Sequence, residues 1–222
     1  MSAPFVVALD GPAASGKSTV GRAVAEQLGL GYFDTGLLYR ALTCLALARG
    51  ASPTDAGALT DLVPDLRVEL APDGRIMRDG RDITGQLQTP AVDAAVSAVS
   101  AHAAVRAALR DVQRSLVRAP GLVMAGRDIG TVIVPEAHLK VWLTASDAER
   151  ARRRADQTGQ PFATVLAGMQ QRDLIDGSRA VAPMAPAADA VEVNSDALSP
   201  GAVVDQIVDL ARARRAASTA SP

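Results

Sequence analysis

Leu9-Asp10-Gly11-Pro12-Ala13-Ala14-Ser15-Gly16-Lys17-Ser18-Thr19 joins an apolar run, Phe5 to Leu9, to an amphipathic stretch. A buried strand therefore passes through a glycine-rich loop into a helix. The spacing Gly-x4-Gly-Lys-Ser lets successive backbone N–H groups converge on phosphate oxygens and aims a helix N-terminus at them. Lys17 adds an ammonium group, and Ser18 adds a hydroxyl able to hold Mg²⁺. Gly11, Pro12, Ala13, Ala14, Ser15, Gly16, Lys17, Ser18 and Thr19 are read as a nucleoside-triphosphate cradle, against the alternative of a plain glycine-rich turn.

Outward from this loop, strand-type and helix-type segments alternate. Phe5 to Leu9 leads to a helix over Lys17 to Leu28, a short strand at Tyr32-Phe33, and a helix from Leu37 to Arg49. Leu122 to Ala125, Leu139 to Leu143 and Ala190 to Val193 are further short apolar runs of buried-strand type. The expected architecture is α/β with an open parallel sheet. Ser146-Asp147-Ala148-Glu149 reads as a capping box, and Ser199-Pro200 as a capping hydroxyl before a proline at the first helical position. From Ala216 the tail is expected to fray.

Between Leu62 and Gln88 the texture changes. Leu66 to Leu70, the turn Pro72-Asp73-Gly74, Ile76 to Arg78 and the turn at Asp82-Ile83-Thr84-Gly85 read as a small antiparallel unit. Such a unit is too short for its own core and is expected to pack on the main body as an insertion at about 62–88. A second excursion at about 150–161 carries Arg150, Arg152, Arg153 and Arg154 before Gly159-Gln160-Pro161, with Arg150, Arg153 and Arg154 as the lid candidates. It reads either as a lid over the triphosphate or as a solvated basic helix end.

Composition sets the frame around these motifs. At 222 residues and 48% hydrophobic content, one domain spanning 1–222 with small insertions is the expectation. A net charge of −1 argues against binding a nucleic-acid polymer, which needs a large positive footprint. No apolar run approaches the ~18 residues of a membrane span, so a cytoplasmic protein without membrane attachment is expected. Lys17 and Lys140 are the two lysines among many arginines. Cys44 falls in a helical apolar pattern and reads as a small core residue. His102 and His138 read as structural or exposed.

A triphosphate cradle does not say what is done with the triphosphate. The guanine-reading Asn-Lys-x-Asp of GTPase switches does not occur, and a small-molecule kinase must also hold its acceptor. On a continuous helix Arg172, Asp176 and Arg179 would project within about 60° of one another, as a polar reader or as a salt-bridge ladder. Gly177 weakens that helix locally. Gly126-Arg127-Asp128-Ile129-Gly130-Thr131 follows a strand at its carboxyl end, the expected ligand edge of an open α/β sheet. Asp34-Thr35-Gly36 with Arg40 follows the second strand. By position alone, each is open between a site and loop structure.

Taken together, these motifs resemble the bacterial cytidylate kinases, nucleoside-monophosphate kinases of the P-loop class. The resemblance runs from Phe5 to about Leu210 in family order: Gly11 to Thr19, Asp34-Thr35-Gly36 with Tyr39-Arg40, Gly126 to Thr131, and Arg172-Asp173-x-x-Asp176-x-x-Arg179-Ala180-Val181-Ala182-Pro183. It implies a three-layer P-loop NTPase fold, with the insertion as an enlarged monophosphate-binding region. Gly177 departs from the hydroxyl residue expected there.

The resemblance further implies ATP-dependent phosphorylation of CMP and dCMP, releasing ADP, with Mg²⁺ as cofactor. Thr35 belongs to the substrate site. Arg40 and Arg127 would hold the acceptor phosphate, and with Lys17 they form the catalytic set. Arg172 and Asp176 would hold the ribose hydroxyls, while Ser97, Arg106, Asp128 and Arg179 would face the cytosine edge. Mg²⁺ would be held through Ser18, with Asp34 a weaker candidate. Ser97 and Arg106 lie about 180° apart around a continuous helix, so a break near Ser100 to Ala103 is predicted. Another P-loop small-molecule kinase and a non-catalytic nucleotide sensor stand as alternatives, and a monomer is the default.

Overall fold

A computed structural model describes residues 4–71 and 73–220 of the chain. It divides into two compact units, one built from the chain up to Tyr32 and from Arg118 onward, the other from Phe33–Val117. The second unit is larger than the 62–88 insertion expected within a single domain.

Strand β1 (Phe5–Asp10) is buried at every residue. That follows from its place in a five-stranded sheet of order β2-β6-β1-β7-β8, where β2 is Gly31–Asp34, β6 Gly121–Gly126, β7 Leu139–Thr144 and β8 Val191–Asn194. β1 runs parallel to β6, Val7 opposite Val123, and parallel to β7, Leu9 opposite Val141. A parallel strand flanked on both sides and covered on both faces needs a continuous apolar run, and Phe-Val-Val-Ala-Leu supplies it. Helix α1 (Lys17–Leu28) and the late helix α8 (Pro200–Ala220) contribute Val20, Val24, Val203, Val204, Ile207 and Val208 to the core against this sheet.

Several local signals act as predicted. Ser146 Oγ accepts from Glu149 N at 3.3 Å and starts α6 (Asp147–Thr158), but the expected capping box is only half made, because Ser146 N donates to Asp196 at 2.8 Å and the Glu149 carboxylate turns to Arg152 and Arg153. Ser199 Oγ accepts from Ala202 N at 3.2 Å at the start of α8. That helix runs on to Ala220, through residues expected to fray.

In the second unit, α2 (Gly36–Ala48) and α3 (Ala56–Asp61) precede a three-stranded antiparallel sheet, β3 (Val68–Leu70), β4 (Ile76–Arg78) and β5 (Arg81–Asp82). This is the predicted antiparallel unit, although Pro72 of the predicted turn lies outside the described residues. Cys44 on α2 is half-buried rather than a core residue, because its neighbour Thr43 takes the fully buried position. Helices α4 (Pro90–Ala101) and α5 (Ala103–Ser115) meet at His102 with a bend of 97°, at the predicted break. Val99 and Val105 explain it: six residues apart, they would lie about 120° apart around one helix, and the bend buries both completely. His102 also contacts the Pro53 carbonyl through Nε2 at 3.0 Å, while His138 Nδ1 accepts from Val6 N at 3.2 Å, so both histidines are structural. Among the described residues no single helix is long and apolar enough to cross a membrane.

Candidate active site

The loop after β1 is shaped by backbone conformations that few residues tolerate. Gly11 has φ 151°, and a Cβ there would lie 2.1 Å from the Leu143 carbonyl oxygen. Ala14 sits at φ 56° and Gly16 at φ 95°, so three of six residues have positive φ. Lys17 is buried, and its Nζ donates to the carbonyls of Gly11 at 2.8 Å and Pro12 at 2.6 Å and to Ser15 Oγ at 3.2 Å. The ammonium group thereby gathers the carbonyls to one side and leaves the α1 N-terminus, with no acidic residue in its first turn, as an anion site. Ser18 is exposed at that N-terminus.

Asp10, the last residue of β1, was not singled out by the sequence. Its carboxylate accepts from the backbone N–H groups of Ile129 and Gly130, each at 2.8 Å. These residues open a π-helical turn, Ile129–Ile133, just beyond β6. The loop bearing Arg127 and Asp128 is thus pinned to the residue preceding Gly11. Burial pushes the Asp10 pKa up to about 6; the Gly130 and Ile129 amides and Lys17 oppose that rise, and Asp128 adds to it. A charged residue closing a wholly apolar strand was the available signal.

The acceptor candidates of the first unit meet one another. Helix α7 (Phe162–Gly177) buries Asp176, whose carboxylate accepts from Arg127 Nε at 3.0 Å and pairs with the Arg179 guanidinium. Arg179 is not on that helix. α7 ends at Gly177, a poor helix former, and Arg179 reaches Asp176 from the turn beyond, which corrects the expectation of one helical face. Asp128 is buried beside this group in sequence, and Arg172 is half-buried on α7.

The second unit holds the remaining candidates. Arg40 donates to the Leu87 carbonyl at 2.9 Å and pairs with Asp93 at 2.6 Å. Arg106 is buried, with its guanidinium 5.4 Å from the Tyr39 ring centroid and Nη1 donating to the Ser100 carbonyl at 3.2 Å. Thr35 is buried and Ser97 half-buried. Asp34 Oδ1 accepts from Gly36 N at 3.0 Å. Among the described residues no three His, Cys, Asp or Glu side chains cluster so as to hold a metal ion.

The region 150–161 is the greater part of α6 and the turn after it rather than a separate flap. Arg150 is buried and donates to the carbonyls of Ala145 and Ala13 and to Asp147 and Asp173. Arg153 donates to Glu149 and to both oxygens of Ser195. Of the three arginines read as a lid, Arg154 is the one exposed to solvent.

The chain matches the family model for cytidylate kinase over residues 7–213. It belongs to the cytidylate kinase family. Among its relatives, the bifunctional pantoate ligase/cytidylate kinase of Synechococcus sp. strain CC9311 is 47% identical over 219 residues, covering 94% of this chain and 44% of that protein. The protein of the same description from Prochlorococcus marinus strain MIT 9303 is 45% identical over 222 residues, covering 96% of this chain and 46% of that one. The chain therefore spans less than half the length of these curated relatives. Solved structures share the fold. A gluconokinase from Sinorhizobium meliloti 1021 superposes with a TM-score of 0.51 over 100% of both chains at 16% identity. TT1252 from Thermus thermophilus gives 0.50 over 96% of this chain and 98% of its own, at 19% identity.

Proposed function

We propose that the protein transfers the γ-phosphoryl group of ATP to CMP, and to dCMP, giving the diphosphate and ADP, as a cytoplasmic monomer. The observation that carries this reading is the Asp10 bridge, which ties the strand end bearing Arg127 and Asp128 to the residue that leads into the donor loop. A donor grip and an acceptor grip are thereby built into one sheet edge.

The acceptor phosphate has a second pKa near 6, so at neutral pH it is largely dianionic and needs no general base. The barrier lies in bringing two anions together, and catalysis is positioning plus neutralisation. Residues Gly11 to Thr19 hold the donor phosphates through main-chain amides and Lys17. Arg127 and Arg40 hold the acceptor phosphate, Thr35 lines its site, and Arg172 and Asp176 hold the ribose. Asp128 accepts from the cytosine amino group, while Ser97, Arg106 and Arg179 serve the ring nitrogen and carbonyl. A uracil would present a carbonyl to Asp128, setting two acceptors face to face. Ser18, with Asp34 the weaker candidate, would hold Mg²⁺, which would neutralise charge on the donor phosphates. Arg154 is assigned to the transferring group, because Arg150 and Arg153 are engaged within the protein.

ADP release from MgATP, measured with each nucleoside monophosphate in turn, tests the proposal. CMP and dCMP are expected to stimulate release far more than UMP or the purine monophosphates. Stimulation by another acceptor in preference to CMP would overturn it, and nucleotide binding without any turnover would favour a sensor.

A further inference from the structure

The tip of the donor loop is seated in a socket made by α6 and α7. Ala13 packs in an apolar cluster with Ala151, Val165 and Met169, against which Ala14 also lies. Both polar groups of Ala13 are taken by charged side chains: its N–H donates to Asp173 Oδ1 at 3.1 Å, and its carbonyl accepts from Arg150 Nη1 at 2.7 Å. The same Nη1 lies 2.6 Å from Asp173 Oδ2, closing a ring of peptide, carboxylate and guanidinium. Arg150 is fixed on its far side by the Ala145 carbonyl at 3.2 Å and Asp147 at 2.6 Å.

We propose that Asp173 and Arg150 are positioning residues for the donor nucleotide, acting as a clamp that holds the Ala13 peptide and with it the phosphate-binding form of the loop. The physical need is plain. Ala14 next in the chain is a non-glycine residue in the left-handed region, a disfavoured conformation that persists only where surroundings over-determine it. A loop whose amides converge on one point also has no internal acceptors for them. Charge-assisted bonds at both ends of the preceding peptide, together with an apolar seat, set its orientation before the nucleotide arrives. Asp173 lies between Arg172 and Asp176 on α7, so the clamp also ties the loop to the helix that holds Arg127 through Asp176. The inference rests on the donor-loop part of the reading above.

The test measures MgADP affinity by calorimetry, which requires no acceptor and stands even if CMP is not the substrate. Asp173→Ala and Arg150→Met are each expected to weaken MgADP by about tenfold, with the double variant no weaker than about twice either single variant. With turnover as readout, KM for MgATP should rise by the same factor and KM for CMP should stay within about twofold. Asp173→Glu, which keeps a carboxylate, should recover part of the affinity and serves where Asp173→Ala does not fold. Folded variants that bind MgADP like the wild type, or that lose thermal stability and kcat with KM for MgATP unchanged, would overturn the clamp.

Discussion

In the function proposed above, the donor loop and the cluster at the end of β6 hold the two nucleotides with opposite materials. The donor grip is nine consecutive residues acting mainly through the main chain, with Lys17 turned back onto the loop's own carbonyls. The acceptor grip is made of side chains from separate segments, Arg127 beyond β6, Asp176 on α7 and Arg179 after it, which pair among themselves. A contiguous main-chain site is built by local conformation. A dispersed side-chain site depends on packing that brings distant segments together, and its charges must be satisfied by one another until a ligand displaces them.

The largest expected effect tests the donor side of this contrast. Lys17→Ala removes the one cation built into the cradle and should lower kcat by about a thousandfold, since a preorganised cation on the transferring group has no substitute there. Turnover near the wild-type rate, in a folded variant, would show that amides alone suffice.

Next comes the link between the two regions. Burial raises the Asp10 pKa to about 6 in the fold, above its ordinary 3.8. The native state therefore binds more protons than the unfolded state between pH 4 and 6, and the contribution of Asp10 to stability is lost as pH rises through that window. Asn at this position does not titrate. Urea melts should show wild type gaining about 2 kcal/mol on Asp10→Asn as pH falls from 7 to 4. A difference that stays flat with pH would mean that the carboxylate is not held as described.

On the acceptor side, Asp128→Ala should lower kcat/KM for CMP by about a hundredfold and for UMP by no more than about threefold, because only cytosine donates to that carboxylate. Equal losses on both acceptors would make Asp128 a structural residue. The smallest effect is expected at Arg154, where solvent weakens the charge: Arg154→Ala should cost about tenfold in kcat with KM for CMP unchanged.

What was legible in the sequence follows the same division. Strands and helices announced by apolar runs and caps, such as β1, α1 and the helix capped by Ser146, lie where the pattern puts them, because local propensity and burial agree. The helix break at His102 was legible through a conflict, two residues required on one face but spaced for opposite faces. The clamp on Ala13 was not legible, since residues 13, 150 and 173 share no local pattern and meet only through the fold. Arg150 illustrates the cost of reading charge by position: an arginine-rich stretch suggested a solvent-facing lid, yet packing of α6 against α7 draws this side chain inward to four protein acceptors. Arg179 shows the reverse, a residue placed outside the expected helix by Gly177 that nevertheless reaches its predicted neighbour Asp176.

The central claim is that two phosphates are gripped independently, one by the loop and one by guanidinium groups. The most direct test is crossed calorimetry of MgADP and CMP on Lys17→Ala and Arg127→Ala. The account predicts that Lys17→Ala loses MgADP affinity and keeps CMP, while Arg127→Ala loses CMP and keeps MgADP. Parallel loss of both ligands in both folded variants, or loss of neither, would contradict it.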